Sequence, residues 1–277
     1  MSIQITTLSE NTAARVNLLA EWGLSILIEA DGYKILFDTG QSFSAAYNAI
    51  TLGIDLSRID KIVFSHGHLD HTGGLLHILK IIKGEVEIIA HPDIWALKYA
   101  KRPDRAEEYI GMPFPKEAAE TLGASFNLTR EPVWLSENIV TSGEIPMITE
   151  YERIDPILYV KEKGEFEPDP LWDDQAIFLK SAKGLIIILG CAHRGVINTI
   201  RHAQKLTGIE PVHAVIGGTH LVSASPQRLD LTIAELMSSG VQKLGVSHCT
   251  GLPASARLAQ TFGKAFFFNN AGIRTTL

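Results

Sequence analysis

The chain passes twice through the same order of predicted elements, and this repeat constrains its fold more than any other feature. Each half begins with a β-hairpin, Leu24–Glu29 with Tyr33–Phe37 in the first half and Ala176–Lys180 with Leu185–Leu189 in the second. The sequence Ala30-Asp31-Gly32 is typical of a tight hairpin turn. Alternating strands and helices follow each hairpin. Two such halves can stack sheet on sheet with helices on the outer faces, which predicts an α/β fold.

The other predicted elements come from apolar runs and helical periodicity. The strands are Ile3–Leu8, Lys61–Phe64, Val86–Ala90, Val133–Leu135, Ile139–Ser142, Ile157–Lys161, Val212–Ile216, Lys243–Val246 and Ala265–Phe268. The helices are Ser42–Leu52, Gly74–Ile82, Val196–Leu206, Pro226–Met237 and Pro253–Phe262. Between Pro92 and Arg130 the pattern is helical but is broken by prolines, which predicts a helical insertion or flap near 92–130 within a single domain spanning 1–277.

Composition narrows the class of protein. The 277 residues, 45% of them hydrophobic, are sufficient for one or two globular domains with a sizeable core. A net charge of −6 gives no general attraction to nucleic acid or anionic lipid. Two cysteines exclude a disulfide scaffold, and no apolar run approaches the length of a membrane span. The first residues lack the pattern of a signal peptide. We therefore expect a cytoplasmic protein with a small-molecule substrate and no nucleic-acid or membrane partner; the sequence carries no signal for an oligomeric state.

A cluster of histidines follows the predicted strand Lys61–Phe64. His66, His68, Asp70 and His71 fall within the ten residues Ser65-His-Gly-His-Leu-Asp-His-Thr-Gly-Gly. His66 and His68 share one side if the strand continues, and the turn toward the two glycines can bring the other two residues to a second point. Imidazole and carboxylate are ligands of zinc, iron and manganese. The cluster predicts a site for one or two divalent transition metal ions, with zinc favoured and iron or manganese as alternatives.

The pattern His66-x-His68-x-Asp70-His71, with Phe37-Asp38-Thr39-Gly40 one strand earlier, resembles the metallo-β-lactamase superfamily along nearly the whole chain. The resemblance implies a four-layer αββα sandwich with a one- or two-metal site at the edge of the sheets. It assigns the two leading histidines to the first metal and Asp70 with His71 to the second. Asp38 would orient the ligand loop, or alternatively would cap the helix Ser42–Leu52.

Further ligands are expected at the ends of later strands. Cys191 occupies the position at which the superfamily has an Asp or Cys ligand, and His193 lies two residues on; the alternative for the thiol is a small buried apolar side chain. The superfamily's histidine before the hairpin strand is missing from Leu171-Trp172-Asp173-Asp174-Gln175. The first metal's third ligand is then either His193 or Asp174, and the alternative for the two aspartates is a solvated turn.

Two more histidines follow strands on the same edge. His248, in Ser247-His248-Cys249-Thr250-Gly251, matches the superfamily's final ligand, whereas Cys249 is expected to point the opposite way and pack. His220 is a candidate catalytic residue that orients substrate or donates a proton, with a hydrogen-bonded loop histidine as the alternative. Either His220 or Arg194 is expected to bind an anionic group. The remaining histidines, expected to be structural or exposed, are His77, His91, His202 and His213.

These observations predict an enzyme, with a metal-dependent hydrolase as the main hypothesis. A metal ion would lower the pKa of bound water toward about 7, and Asp70 would orient that water as a catalytic residue. Phosphate esters and lactone-like esters suit such a site. The motifs also resemble one branch of the superfamily, labelled 7,8-dihydropterin-6-methyl-4-(ribofuranosyl)aminobenzene-5′-phosphate synthase-like. This branch gives a second hypothesis, a pterin-phosphate synthase of methanopterin-type biosynthesis. A di-iron redox protein is the third.

Overall fold

The computed structural model describes residues 2–277, which divide into two compact units. Unit 1 comprises the described residues up to Arg130 together with Pro156–Asp173 and Asn270–Leu277. Unit 2 comprises Glu131–Asp155 and Asp174–Asn269. Each unit has its own seven-stranded sheet and its own apolar core. The predicted α/β class, with mixed sheets and helices, is confirmed. The single domain stays a prediction.

The strands and helices have the following bounds. The strands are β1 (Gln4–Ser9), β2 (Ser25–Ala30), β3 (Tyr33–Phe37), β4 (Lys61–Val63), β5 (Val86–Ala90), β6 (Lys98–Ala100), β7 (Glu108–Tyr109), β8 (Ala124–Leu128), β9 (Trp134–Ser136), β10 (Ile139–Thr141), β11 (Leu158–Glu162), β12 (Glu165–Pro168), β13 (Ala176–Ser181), β14 (Gly184–Leu189), β15 (Val212–Gly218), β16 (Lys243–Ser247), β17 (Phe266–Phe268) and β18 (Arg274–Thr276). The helices are α1 (Ser44–Thr51), α2 (Leu69–Thr72), α3 (Leu75–Ile82), α4 (Lys116–Glu120), α5 (Val196–Thr207), α6 (Pro226–Ser238) and α7 (Leu252–Phe262).

The large sheet of unit 1 has the order β18-β1-β2-β3-β4-β5-β8. Its first hairpin joins β2 to β3 through Asp31 and Gly32, whose positive φ angles of 54° and 83° suit the right-handed twist of the paired strands. From β3 onward the strands run parallel. The carboxyl ends of β3 and β4 therefore lie at one edge, and Asp38 and Ser65 follow them there.

One face of this sheet carries the core of unit 1. Buried side chains from the strands, such as Leu36, Ile62 and Ile88, belong to the same apolar cluster as Ala45 of α1 and Ile78 of α3. Each large apolar side chain that is fully buried contributes roughly 1.5–3 kcal/mol to stability. The loops at the edge of the sheet are therefore held on a rigid base.

The segment 92–130 differs from its prediction as a helical insertion. It contains one α-helix, the five-residue α4, while β8 belongs to the large sheet. The short strands β6 and β7 join β11 and β12 in a separate four-stranded sheet of unit 1, in the order β12-β11-β6-β7. Strands of two or three residues are too short to show a periodic pattern, and the prolines that break a helix also separate these strands.

The sheet of unit 2 has the order β17-β16-β15-β14-β13-β10-β9. The strands from β14 to β17 run parallel, and α5, α6 and α7 contribute to the core through residues such as Ile197, Leu236 and Leu258. The carboxyl ends of β14, β15 and β16 lie at one edge of the sheet. Cys191, His220 and His248 follow these three ends, as the sequence predicted.

No helix within residues 2–277 combines the length and the apolar character needed to cross a membrane.

Candidate metal centre

The histidine loop of unit 1 begins where β4 ends. The chain stays extended through His68, whose φ of −75° and ψ of 146° precede the single turn of α2. His66, His68 and His71 are buried, and Asp70 is half-buried on α2. The loop thus brings three imidazole rings together within six residues.

These three rings are in contact. His66 Nε2 lies 2.9 Å from His68 Nδ1, and the ring centroids of His66 and His71 are 4.2 Å apart. Two nitrogens bound to one tetrahedral zinc ion are separated by roughly 3.3 Å, given bonds of about 2.0–2.1 Å. Burial, with the Lys98 ammonium, lowers the pKa of His68 to about 3, so this ring is neutral at pH 7. The neutral ring of His68 and the close spacing of the three rings fit a divalent metal ion.

Asp38 fixes the orientation of the loop. One carboxylate oxygen, Oδ1, accepts from the Ser65 backbone N–H at 2.7 Å. The other, Oδ2, accepts from the Ser65 hydroxyl and from His71 Nδ1, each at 2.7 Å. Because the Ser65 hydroxyl donates to Asp38, it accepts from His66 Nδ1, which is 2.8 Å away. In the neutral rings of His66 and His71 the proton therefore lies on Nδ1, so Nε2 is the atom suited to binding a metal.

The two sequence alternatives for Asp38 are thus resolved. Helix α1 begins at Ser44, and its N-cap is Phe43, so Asp38 does not cap this helix. Asp38 has a positive φ of 60°, a backbone conformation that is rare outside glycine. This geometry directs its carboxylate to the loop after the neighbouring strand, as the orienting role requires.

Asp173 and Asp174 are buried rather than part of a solvated turn. Asp173 Oδ2 accepts from the Gly67 backbone N–H at 2.8 Å, and Oδ1 accepts from Lys98 Nζ at 2.9 Å. Asp174, in unit 2, accepts from the Arg194 backbone N–H at 2.8 Å. Burial opposes the charge of Lys98, but Asp173 and Asp169 outweigh it and hold the pKa of Lys98 above its ordinary value. Both oxygen atoms of the Asp173 carboxylate thus accept hydrogen bonds from other groups of the protein.

A second cluster lies at the edge of the unit 2 sheet. Potential ligand atoms of Cys191, His193 and His220 lie within 4.8 Å of one another, and the same holds for Cys191, His248 and Cys249. The ring centroids of His193 and His220 are 4.1 Å apart. His220 and His248 each follow the end of a strand, and their own φ angles are positive, 46° and 53°. Thiol and imidazole together fit a zinc-binding donor set.

The prediction that Cys249 points away from His248 is wrong. Its Sγ atom accepts from the His220 backbone N–H at 3.3 Å, and its thiol lies 3.5 Å from the Cys191 carbonyl oxygen. Burial raises the pKa of the Cys249 thiol, but the contacts with Cys191, His220 and His248 outweigh burial and place that pKa well below its ordinary value. The short turn His248–Thr250 brings both neighbouring side chains to the cluster.

The two candidates for an anion-binding residue differ. Arg194 is 4% exposed, and its Nε donates to the Ile145 carbonyl at 2.6 Å, so the structure favours a packing role. His220 Nε2 lies 3.9 Å from Asp155 Oδ2. Burial lowers the pKa of His220, but Asp155 and Cys249 outweigh it and raise the pKa to about 9. A protonated ring carries the charge that an anionic group requires.

The structure therefore groups the predicted residues by unit. His66, His68 and His71 are together in unit 1, and Cys191, His193, His220 and His248 are together in unit 2. The roles of all of these residues and of Asp70 stay predictions. Sequence reasoning missed Lys98 and Asp169, because lysine is rarely buried and nothing marks a partner 71 positions away.

The chain matches the family model described as the metallo-beta-lactamase superfamily over residues 23–183. Together with the fold and the two histidine clusters, this match shows that the chain belongs to the metallo-β-lactamase superfamily. Membership supports an enzymatic function with a small-molecule substrate, and the histidine-rich groups support binding of divalent metal.

Two relatives span nearly the whole chain. The 7,8-dihydropterin-6-methyl-4-(β-D-ribofuranosyl)-aminobenzene-5′-phosphate synthase of Methanocaldococcus jannaschii is 36% identical over 280 residues, covering 98% of this chain and 95% of the relative. An uncharacterized protein of the same organism is 35% identical over 260 residues, covering 92% and 94%. The first relative overturns the main functional hypothesis, the hydrolase, and favours the second hypothesis, the synthase.

Solved structures support the fold. Tm1679, a metal-dependent hydrolase of the beta-lactamase superfamily, matches with a TM-score of 0.86 at 24% identity, covering 99% of both chains. Zinc-bound PqqB from Methylobacterium extorquens matches with a TM-score of 0.58 at 11% identity, covering 100% of both chains. At such identities the likeness concerns the fold, which is that of the metallo-β-lactamase superfamily.

Proposed function

We propose that this chain is a metal-dependent synthase that joins a 7,8-dihydropterin to 4-(β-D-ribofuranosyl)aminobenzene 5′-phosphate. The observation that carries the proposal is the 36% identity to the synthase of that name, extending over 98% of the chain. The name of the product describes a dihydropterin whose 6-methyl carbon is bonded to the ring amine of the aminobenzene. Such a reaction is a group transfer: the amine attacks that carbon, and a leaving group departs from it.

Metal binding is the second part of the proposal. In unit 1 we assign His66, His68, Asp70 and His71 as ligands; in unit 2 the assigned ligands are Cys191, His193 and His248. Zinc is favoured by the mixture of imidazole, carboxylate and thiol groups. A metal bound by these residues would supply a Lewis acid that stabilises negative charge on the leaving group.

The cytoplasmic location also stays a prediction of the sequence.

The other roles concern protons and charge. Asp70 is half-buried and carries a carboxylate that can accept the proton lost by the attacking amine. We assign binding of the 5′-phosphate to His220, which has Asp155 nearby. Asp38 holds the Nδ1 atoms of the loop histidines, directly at His71 and through Ser65 at His66. Asp38 and Ser65 thus orient the metal-binding rings before substrate arrives.

A coupling assay tests the proposal. The purified protein, with its metal content measured, is incubated with 4-(β-D-ribofuranosyl)aminobenzene 5′-phosphate and 6-hydroxymethyl-7,8-dihydropterin. The pterin is supplied both as the alcohol and as its diphosphate ester, and the coupled product is followed by mass spectrometry. Formation of that product is the expected result, and its loss on chelation and return on addition of zinc would support the metal's part. No product from metal-replete protein with either pterin would contradict the proposal.

A further inference from the structure

A buried ion triad lies beside the histidine loop in unit 1. Lys98 of β6 is 1% exposed, and its Nζ donates to Asp169 Oδ2 at 2.8 Å and to Asp173 Oδ1 at 2.9 Å. The remaining carboxylate oxygens accept from backbone groups, Asp169 Oδ1 from the Leu171 N–H and Asp173 Oδ2 from the Gly67 N–H, each at 2.8 Å. All four carboxylate oxygens therefore have a hydrogen-bond donor.

The backbone that presents the two carboxylates is strained. Leu171, fully buried between Asp169 and Asp173, has a φ of 47°. Such a conformation in a residue other than glycine costs on the order of 1–3 kcal/mol and persists only where the surroundings enforce it. This turn of the backbone allows Asp169 and Asp173 to contact Lys98 together.

Stability alone is a poor reason for this triad. Removing three charged groups from water is costly, and apolar side chains of similar volume often stabilise a protein equally well or better. The triad of one lysine and two aspartates carries one net negative charge. Its Asp173 also accepts from the Gly67 N–H, in the loop that contains the histidines. Its position indicates a role in that loop.

Gly67 is the residue at which the triad meets the loop. It lies between His66 and His68, and its backbone N–H is held by Asp173. A β-carbon at this position would lie 2.6 Å from the Ile94 carbonyl oxygen. Ile94 and Lys98 belong to one segment, 92–100, which therefore contacts the Gly67 peptide directly through Ile94 and indirectly through Lys98 and Asp173.

We propose that Lys98 is a positioning residue of the metal centre: by fixing Asp173, it holds the Gly67 peptide and so sets the separation of His66 and His68. The inference rests on the metal-binding part of the proposed function. Residues that hold metal ligands indirectly affect metal affinity typically 10- to 100-fold. Lys98 touches neither substrate nor metal in this role.

The test compares variants by zinc affinity, measured by competition with a chromophoric chelator, and by thermal melting. In Lys98→Met we expect zinc affinity to fall about 10- to 100-fold. Asp169→Asn is the matched control, since it also disturbs the ion triad but leaves Lys98 bonded to Asp173 and the Gly67 N–H donating to Asp173. We expect its affinity to stay within about threefold of the wild type. The d–d absorption of bound Co²⁺ should change in Lys98→Met and not in the control.

A triple variant separates positioning from stability. Lys98→Met, Asp169→Leu and Asp173→Leu together replace the triad by apolar groups, which can preserve folding, but they leave the Gly67 N–H without its acceptor. A wild-type melting temperature with weakened zinc affinity supports positioning; wild-type zinc affinity overturns it. If the triple variant does not fold, equal zinc affinities of folded Lys98→Met and Asp169→Asn overturn the role, and unequal affinities in the expected order support it. Absence of zinc binding by the wild-type protein would instead overturn the proposed metal function itself.

Discussion

The two histidine clusters are built in different ways. In unit 1, the three imidazoles belong to one loop of six residues, and Asp38 with Ser65 fixes which nitrogen His66 and His71 offer. In unit 2, Cys191, His220 and His248 come from the ends of three different strands. The loop cluster is therefore a local property of the sequence, whereas the strand-end cluster depends on the parallel order of β14, β15 and β16.

The two constructions predict different tolerance to substitution. A loop cluster can be disturbed by any change that moves its backbone, because its members share one chain segment. In a strand-end cluster each ligand follows a different buried strand. Replacing one ligand should therefore disturb the positions of the others less. Substitutions in the two clusters should therefore differ in how far they affect the neighbouring ligands.

Replacing Asp70 by Ala should reduce the rate of pterin coupling by about 10²–10⁴-fold, the usual contribution of a positioned acid or base. The residue is half-buried on the short helix α2, so the fold should survive. The measurement is the rate of coupled product formation, with circular dichroism to confirm folding. Asp60→Ala, at an exposed position, is the control. Equal rates for Asp70→Ala and the wild type would refute the catalytic assignment.

In unit 2, Cys191→Ala should lose one metal equivalent and spare the other, and Cys191→Asp should restore it because a carboxylate can also bind zinc. His193→Ala should also lower the metal-to-protein ratio, because His193 offers a ligand atom to the same cluster. Elemental analysis of the three variants measures the metal-to-protein ratio. Unchanged ratios in all three would mean that neither residue is a ligand and that this cluster does not bind metal as assigned.

Asp38→Asn should weaken zinc binding in unit 1 by about 10- to 100-fold, because an amide cannot accept from all the groups that the carboxylate holds. The bonds at stake are those from the Ser65 N–H, the Ser65 hydroxyl and His71 Nδ1. Chelator competition gives the affinity, and Asp55→Asn, an exposed aspartate on another loop, is the control. An affinity equal to that of the control would show that the loop orients its rings without Asp38.

The smallest effects concern backbone packing at the two edges. A β-carbon on Gly67 would meet the Ile94 carbonyl at 2.6 Å, and one on Gly218 would meet the Gly190 carbonyl at 2.4 Å and Cys249 Sγ at 2.6 Å. Each Gly→Ala change should cost about 1–3 kcal/mol in the free energy of unfolding, measured with denaturant. Gly84→Ala, where the nearest atom is 3.8 Å away, should change it by less than about 0.5 kcal/mol.

If the clusters differ as described, Gly67→Ala should also lower zinc affinity, and Gly218→Ala should lower stability more than affinity. Equal losses of affinity in the two variants would remove the distinction between a loop cluster and a strand-end cluster.

The sequence predicts the hairpin strands and the strand-end residues well, because each depends on a local signal. Tyr33–Phe37 has the predicted bounds since a tight turn precedes it, and Val86–Ala90 is a buried apolar run. The strand Arg274–Thr276 has no apolar run and is held by pairing with β1, so no local signal marks it. Its stability comes from a partner about 270 positions earlier in the sequence.

The candidate site divides in the same way. His66, His68 and His71 are evident from spacing alone, and His248 from its position after a strand. The partners that hold the loop are not evident: Lys98 is a lysine on a three-residue strand, and Asp173 lies in what reads as a polar turn. Burial of a charged group depends on which distant residues pair with it, and a single sequence does not contain that information.

The left-handed backbone at the strand ends has an evolutionary consequence. Asp38, His220 and His248 all have positive φ angles, where a side chain costs roughly 1–2 kcal/mol relative to the right-handed conformation. Glycine at any of these positions would relieve that cost, so random mutation screened for heat resistance alone would favour changes that remove the functional groups. The proposed metal-binding edges of the two sheets are thus the places where selection for stability and selection for function oppose each other, and only selection for function retains the present residues.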